Sequence, residues 1–314
     1  MSDECEILVY GGINIDLVTR SETFPAPGQT ILGNEFITYP GGKGANQAVA
    51  ISRMGLRVSL IGCVGNDVFG PGLVQGLEEK GVGVAGVSMI EGKHSGVAVI
   101  NIDDHAQNQI IQVHGANANA EDELAMQLIE ETPSLKYLLI QLETPISVSA
   151  SLAKKAKLKG GTVILDPGPT RPITDNLLQS VDVITPNETE AEYLTGIEVK
   201  DVESGFSAAH KISSMGIQDV IVKMGAQGAL YVGKNCEFQV PAIEVNALDS
   251  VAAGDAFNGG LVYALYSGWS IEKCIQWAVC CGGVATSRIG AQDSMPLKSE
   301  IVETYKKNFG RLTS

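Results

Sequence analysis

Two aspartates frame the segment DSVAAGDAFNGG, residues 249–260, with Ser250, Val251, two alanines and Gly254 between them and what reads as a helix following. If that helix starts near Gly254, the N–H groups of Ala252, Ala253, Gly254 and Asp255 lack intrahelical acceptors and converge at the positive end of the helix dipole. Such a cradle takes an anion. The Asp255 carboxylate beside it can accept a proton from an attacking hydroxyl while the amides take up charge on a phosphoryl group. The competing reading is that Asp255 only favours the helix's first turn.

Further segments carry chemistry of the same kind. PGGKGANQA, Pro40 to Ala48, brings backbone close to a ligand at Gly41, Gly42 and Gly44, supplies charge at Lys43 and offers donor and acceptor at Asn46. A polyol suits that set, and a plain glycine turn opening a helix is the alternative. TPNETEAEYLTG sets Asn187 and Glu190 on one side of a helix start. They suit either a hydrated Mg²⁺ beside phosphates or an N-cap with its N3 partner. The chain contains no GxxxxGK[ST], and no GxGxxG follows its first apolar run.

These residues need elements to hold them. Apolar, β-rich runs recur as EILVYGG, VSLIGCVG, GVAVINID, YLLIQLE, TVILDPG, VDVITPN and DVIVKMG. Helical periodicity separates most of them, at 44–54, 68–80, 147–158 and 203–215, and the C-terminal part reads as helices at 254–267, 271–286 and 297–308. Alternation of this kind predicts an α/β fold with a mostly parallel sheet covered on both faces. Ligands of such sheets sit beyond the strands' carboxyl ends. The residues there are Gly12, Asn14, Gly62, Glu143, Pro167, Asn187 and Gly225. Two stretches, 13–40 and 94–115, break the alternation and read as strands and turns, either a small separate sheet or edge strands of the main one.

Composition narrows the function classes. With 22 Lys and Arg against 36 Asp and Glu, the net charge of −14 argues against a nucleic-acid or anionic-membrane surface. No apolar run reaches membrane-spanning length and no signal-like leader opens the chain, so a cytoplasmic protein is expected. The six cysteines show no CxxC spacing, which favours small buried side chains over a zinc or redox site.

Taken in order from about residue 6 to 296, GGINIDLV, GGKGANQA, GANA, QLETP, ITPNETEAEYLTG, KMGAQG, DSVAAGDAFNGG and IGAQDSMP resemble the ribokinase family of carbohydrate kinases. The resemblance implies a three-layer α/β/α fold, with residues 1–12, 41–93 and 116–314 in the main domain. Residues 13–40 and 94–115 would form a small β lid that pairs with a second lid in a homodimer. It implies D-ribose held by Asn14, Asp16, Gly42, Lys43, Asn46, Glu143 and Asp255, and ATP lined by Asn187, Lys223, Gly225 and Gly228. Glu190 would act through Mg²⁺ and its waters. Asp255 would activate the sugar's 5-hydroxyl, with Ala252, Ala253 and Gly254 as anion hole. A monovalent cation, usually K⁺, would be bound by the side chains of Asp249 and Ser294 and the backbone oxygens of Val251, Ala285, Arg288 and Gly290. Val279 departs from the family's His or Asn beside adenine, and Asp293 from a frequent proline. Other members' substrates leave deoxyribose, another pentose or a nucleoside as alternatives, and a sugar-binding protein without catalysis as a further one.

Overall fold

The computed structural model describes residues 5–105, 107–119 and 122–311. In chain order the elements are β1 (Ile7–Tyr10), β2 (Asn14–Arg20), β3 (Glu35–Gly41), α1 (Lys43–Arg53), β4 (Ser59–Gly65), α2 (Gly70–Glu79), β5 (Gly83–Ile90), β6 (Gly96–Ile102) and β7 (Asn108–Val113). There follow α3 (Asp122–Glu131), β8 (Tyr137–Ile140), α4 (Ile146–Leu158), β9 (Thr162–Leu165), α5 (Asp175–Leu178), β10 (Val183–Ile184), α6 (Glu188–Thr195), α7 (Val202–Ser213) and β11 (Asp219–Lys223). The chain closes with β12 (Ala229–Val232), β13 (Glu237–Val240), α8 (Ala253–Tyr266), α9 (Ile271–Thr286) and α10 (Lys298–Phe309).

Strand β1 shows how the layers arise. All four of its residues, ILVY, are buried, as a strand covered on both faces requires. Period two sends Ile7 and Val9 into a core with α1, α2, α8, α9 and α10. Leu8 and Tyr10 enter a second core with α3 to α7. The result is helix, sheet, helix. The sheet has nine strands in the order β13-β12-β11-β10-β9-β8-β1-β4-β5. Its pairs are parallel except at β12, which runs against both of its neighbours. Strands β5, β12 and β13 are absent from the apolar runs above; Gly83 and Gly86 dilute the first, and Glu237 and Gln239 interrupt the last.

The two helix-free stretches form a second sheet, in the order β3-β2-β6-β7. Its registers align Tyr39, Asp16, Ala98 and Gln112 in one row across all four strands. In the main sheet the chain steps from β1 to β4 on one side and later to β8 on the other, so the strand order reverses at β1. A crevice at the carboxyl ends of β1 and β8 is the geometric consequence. The small sheet grows directly out of it, because β2 starts four residues after β1 ends. Among the described residues, no helix is long and apolar enough to cross a membrane.

Candidate active site

The crevice is built on backbone contact. A Cβ at Gly44 would lie 2.6 Å from the Gly11 backbone, and one at Gly42 would lie 2.5 Å from the Gly12 carbonyl oxygen. Gly42 also caps α1 with φ 92°, a conformation that costs glycine little. The start of α1 therefore rests against the link between β1 and β2, and Lys43, Asn46 and Gln47 enter the crevice together.

Glu143, just past β8, forms the floor. Its Oε1 accepts from Asn14 Nδ2 (3.1 Å) and Gln112 Nε2 (2.6 Å), and its Oε2 accepts the Lys43 N–H (2.7 Å). Asn14 is steadied from behind, because Asn117 Nδ2 donates to Asn14 Oδ1 and Asn117 Oδ1 accepts the Ile13 N–H. Burial pushes Glu143's pKa up, against Lys43 and these hydrogen bonds. Asp16, buried in the small sheet, is pushed up to about 7, first by burial and then by the charges of Glu143 and Asp255.

A second group joins α1, α8 and the ends of β9 and β11. Asp255 is 4% exposed; its Oδ2 accepts from Asn46 Nδ2 (2.9 Å) and its Oδ1 from Gln47 Nε2 (3.0 Å). Asp166 accepts from Lys43 Nζ (3.2 Å) and Gln47 Nε2 (2.8 Å) on Oδ2, and from Lys223 Nζ (3.1 Å) on Oδ1. The two carboxylates titrate apart. Burial would raise Asp166, but Lys223 and Lys43 outweigh it and hold its pKa down. Asp255 is raised to about 6, chiefly by burial, with Lys43 opposing and Asp166 adding to the rise. Asn46 Oδ1 is buried and unpartnered, the kind of atom a bound hydroxyl would satisfy.

Helix α8 begins at Ala253 with Ala252 as its cap, at φ 59° and ψ 10°. Among the described residues Ala252 is the only non-glycine with positive φ. Backbone strain of this kind gathers at functional sites. The amides differ from the expectation in one respect. The Ala253 N–H is not free, since it donates to Ser250 O (3.3 Å) in a turn, whereas Ala256 N–H already closes back onto Ala252 O (2.9 Å). Gly254 and Asp255 lie in the unpaired first turn, and a Cβ at Gly254 would sit 3.2 Å from Lys223 Nζ.

Asn187 and Glu190 form a capping box: Glu190 N–H donates to Asn187 Oδ1 (2.8 Å) and Asn187 N–H to Glu190 Oε2 (2.9 Å). Capping occupies one carboxylate oxygen. The other, Oε1, would lie 2.4 Å from a Cβ at Gly168, where Lys43 Nζ also stands 2.8 Å away. Glu190 thus faces the lysine and aspartate cluster as well as its own helix, and its pKa is raised first by burial and then by Asp166. Lys223 pairs by backbone with Asn187. Gly225 is exposed beyond β11, while Gly228 is buried, and a Cβ on it would be 2.0 Å from Val240 O.

Asp249 Oδ1 accepts the Val251 N–H (2.9 Å) and Oδ2 the Gly290 N–H (3.2 Å), and the Asp249 N–H donates to Thr286 O (3.1 Å). The 249–251 loop, Gly290 and the end of α9 therefore meet. Ala285 O accepts the Arg288 N–H (3.2 Å), the Arg288 side chain pairs with Glu300, and the buried Ser294 hydroxyl donates to Ala291 O (2.7 Å). Val279 is buried in the α9 core, and Asp293 is exposed. Among the described residues no group of three or more His, Cys, Asp or Glu is arranged to hold a metal ion.

Sequence reasoning passed over Asp166, Gln47, Gln112 and Asn117. Asp166 stands one residue before Pro167, at the carboxyl end of a recognised run, and Gln47 directly follows Asn46. Position at a strand end was the available signal for the first. Gln112 carried none, because its contact with Glu143 depends on how the small sheet folds over.

A model of the pfkB family of carbohydrate kinases matches residues 5–298, and the chain belongs to that family. Within it, the chain is 36% identical to the ribokinase of Haemophilus influenzae, over 95% of this chain and 97% of that one. Among solved structures, Arabidopsis thaliana ribokinase complexed with ribose and ATP matches with a TM-score of 0.89 at 30% identity, covering 96% of this chain and 99% of the other. The ribokinase of Thermotoga maritima matches with a TM-score of 0.86 at 36% identity, with the same coverage.

Proposed function

We propose that this chain is an ATP-dependent kinase that phosphorylates D-ribose on its 5-hydroxyl to give D-ribose 5-phosphate. The observation that carries the reading is the buried Asp255 carboxylate, held by Asn46 and Gln47 at the mouth of an unpaired helix start. It shares one crevice with the polyol-binding set of Asn14, Asp16, Glu143, Lys43 and the Gly42 backbone. The family match and the ribokinase relatives support it.

Ribose lies between the small sheet and the ends of β1 and β8, with its 5-hydroxyl at Asp255. Asp255 takes the hydroxyl proton as the oxygen bonds to the γ-phosphorus, and the bond from that phosphorus to the bridging oxygen breaks to release ADP. The amides of the α8 start, at Ala252, Gly254 and Asp255, take up charge on the phosphoryl oxygens. The catalysis is positioning and electrostatics rather than covalent chemistry. The nucleotide runs past Asn187, Lys223, Gly225 and Gly228, with Lys43 and Lys223 offsetting phosphate charge in a chain of net charge −14.

Mg²⁺ would be held by Glu190, whose Oε1 is not used in the capping box, with waters completing its shell. It would neutralise phosphate charge. A monovalent cation such as K⁺ would be held by the side chains of Asp249 and Ser294 and the backbone oxygens of Val251, Ala285, Arg288 and Gly290. The contacts of Asp249 with Val251, Gly290 and Thr286 support the reading by drawing this loop to the end of α9, and the ion would steady the α8 start. The molecule works as a homodimer through the small sheet, which exposes Phe36, Ile111 and Val113. Cysteines in thiol form at 5, 63, 236, 274, 280 and 281 suit a reducing cytoplasm.

The test is ADP release by the purified protein with ATP, Mg²⁺ and K⁺, comparing D-ribose, 2-deoxyribose and adenosine. Ribose should give the highest kcat/KM. A higher value for either competitor would move the substrate, and no turnover with any of the three would reject the kinase.

A further inference from the structure

Gln47 lies outside the set assigned above, yet it touches both carboxylates at the reacting end of the crevice. Its single amide nitrogen is 2.8 Å from Asp166 Oδ2 and 3.0 Å from Asp255 Oδ1, so each of its two hydrogens goes to a different acid. Its Oε1 accepts from Gln141 Nε2 (2.6 Å). Both glutamines are buried, at 1% and 0% exposure. The opposite amide orientation would turn Oε1 toward two carboxylate oxygens, acceptor against acceptor, so the surroundings permit only one.

The arrangement has a mechanical side. Asp166 is anchored by Lys43 and Lys223, and Gln47 links Asp255 to that anchor. Gln47 itself sits in the first turns of α1, which the close backbone approach at Gly44 presses onto β1. A carboxylate fastened only through Asn46 would be free to rotate away from Asp166, whose like charge repels it.

We propose that Gln47, with Gln141 behind it, is a positioning residue for Asp255: it fixes the carboxylate's orientation and separates it from the charge of Asp166. The proposal rests on the reading of Asp255 as the base. The charged groups facing Asp255 are Lys43 from α1, Asp166 beyond β9 and Asp16 from β2, with Lys223 from β11 beside the preceding glycine. Burial opposes the ionised form, Lys43 favours it and Asp166 and Asp16 oppose it, so the hydrogen bonds from Gln47 and Asn46 weigh directly on the balance.

The experiment uses the full chain with Gln47→Met, which keeps volume but removes both donors. Gln47→Glu is the second variant; it keeps an acceptor for Gln141 and sets a third carboxyl against the two aspartates. The pH dependence of kcat is measured for each with ribose saturating. Carboxyl ¹³C signals of aspartate-labelled protein are titrated in parallel, with Asp255→Asn assigning the resonance. The acid limb of kcat and the Asp255 titration should both move up by about one pH unit in Gln47→Met, roughly tenfold in rate below the limb. They should move further in Gln47→Glu, and the dissociation constant for ribose should stay within about threefold of the parent's. If Gln47 only fills space, Tm falls while limb and titration stay at the parent's positions in both variants, and the proposal is overturned. If the unaltered protein shows no ribose-dependent turnover, the kinase reading fails separately, and the carboxyl titration alone still decides whether Gln47 controls Asp255.

Discussion

Asp255 is costly to the fold in the ionised form that the proposed base role needs. Its folded pKa, about 6, lies above the ordinary value of 3.8, so between those limits the native state binds more protons than the unfolded chain. Stability contributed by the protonated form is present at low pH and is lost as pH rises through about 6. Asp255→Asn should therefore raise stability at pH 7.5, by on the order of 1–3 kcal/mol, read as a higher Tm. The same variant should keep ribose binding in calorimetry and lose turnover by about 10²–10⁴-fold. Near-parent turnover would remove Asp255 from the role of base. Asp16, raised to about 7, adds a second titration, and in the proposed ribose site its carboxylate is an acceptor for the sugar. In the free enzyme kcat/KM should thus fall below about pH 7 and steepen below about 6 as both acids protonate, and Asp16→Asn should leave a single limb. At this scale the sequence was readable where a residue's neighbours in the chain define its setting, as for Asp255 in the first turn of a helix or for the capping pair Asn187 and Glu190. It was silent where the partner is remote: Gln47 meets Asp166 across 119 positions and Asn14 meets Glu143 across 129.

Among the elements, α1 and α8 decide the site, and both are placed by small residues. Gly44 lets α1 lie against Gly11, and Gly259 of α8 faces Ala50 of α1, where a Cβ would come within 2.4 Å of the alanine's Cβ. Gly44→Ala would push a Cβ to 2.6 Å from backbone atoms of Gly11, which cannot swing aside. The whole start of α1 must shift, carrying Lys43, Asn46 and Gln47 together. The expected result is a stability loss of about 1–3 kcal/mol in urea unfolding, with ribose affinity and kcat both reduced by more than tenfold. Parent-like kinetics would show that α1 tolerates displacement and that its contact with β1 does not set the geometry. Periodicity located these helices well, since the expected 44–54, 254–267 and 271–286 compare with Lys43–Arg53, Ala253–Tyr266 and Ile271–Thr286. It could not report that α8 starts from a strained alanine, or that Ala253's amide turns back to Ser250, because both depend on the loop's path.

For the molecule as a whole, the unresolved demand is the outer surface of the small sheet. Strand alternation sets Phe36, Ile111 and Val113 on the face opposite Asp16 and Gln112, at 64%, 65% and 44% exposure. Ile15, Leu17 and Val97 pack this sheet onto the main core, but large apolar side chains left exposed on both of its edge strands mark an interaction surface. The proposed ribose site also needs this sheet to be firm, since Asp16 and Gln112 approach Glu143 from it. Two-fold pairing of small sheets would cover both faces at once and couple assembly to binding. Ile111→Asp should therefore convert a dimer into a monomer in sedimentation velocity at micromolar concentration. It should weaken ribose binding severalfold while leaving the ATP KM within about twofold, because the residues proposed for the nucleotide, Asn187, Lys223, Gly225 and Gly228, lie outside the small sheet. A parent-like sedimentation coefficient in that variant, or a protein that is monomeric before any substitution, would rule out the small sheet as the dimer contact and leave its closure to the single chain.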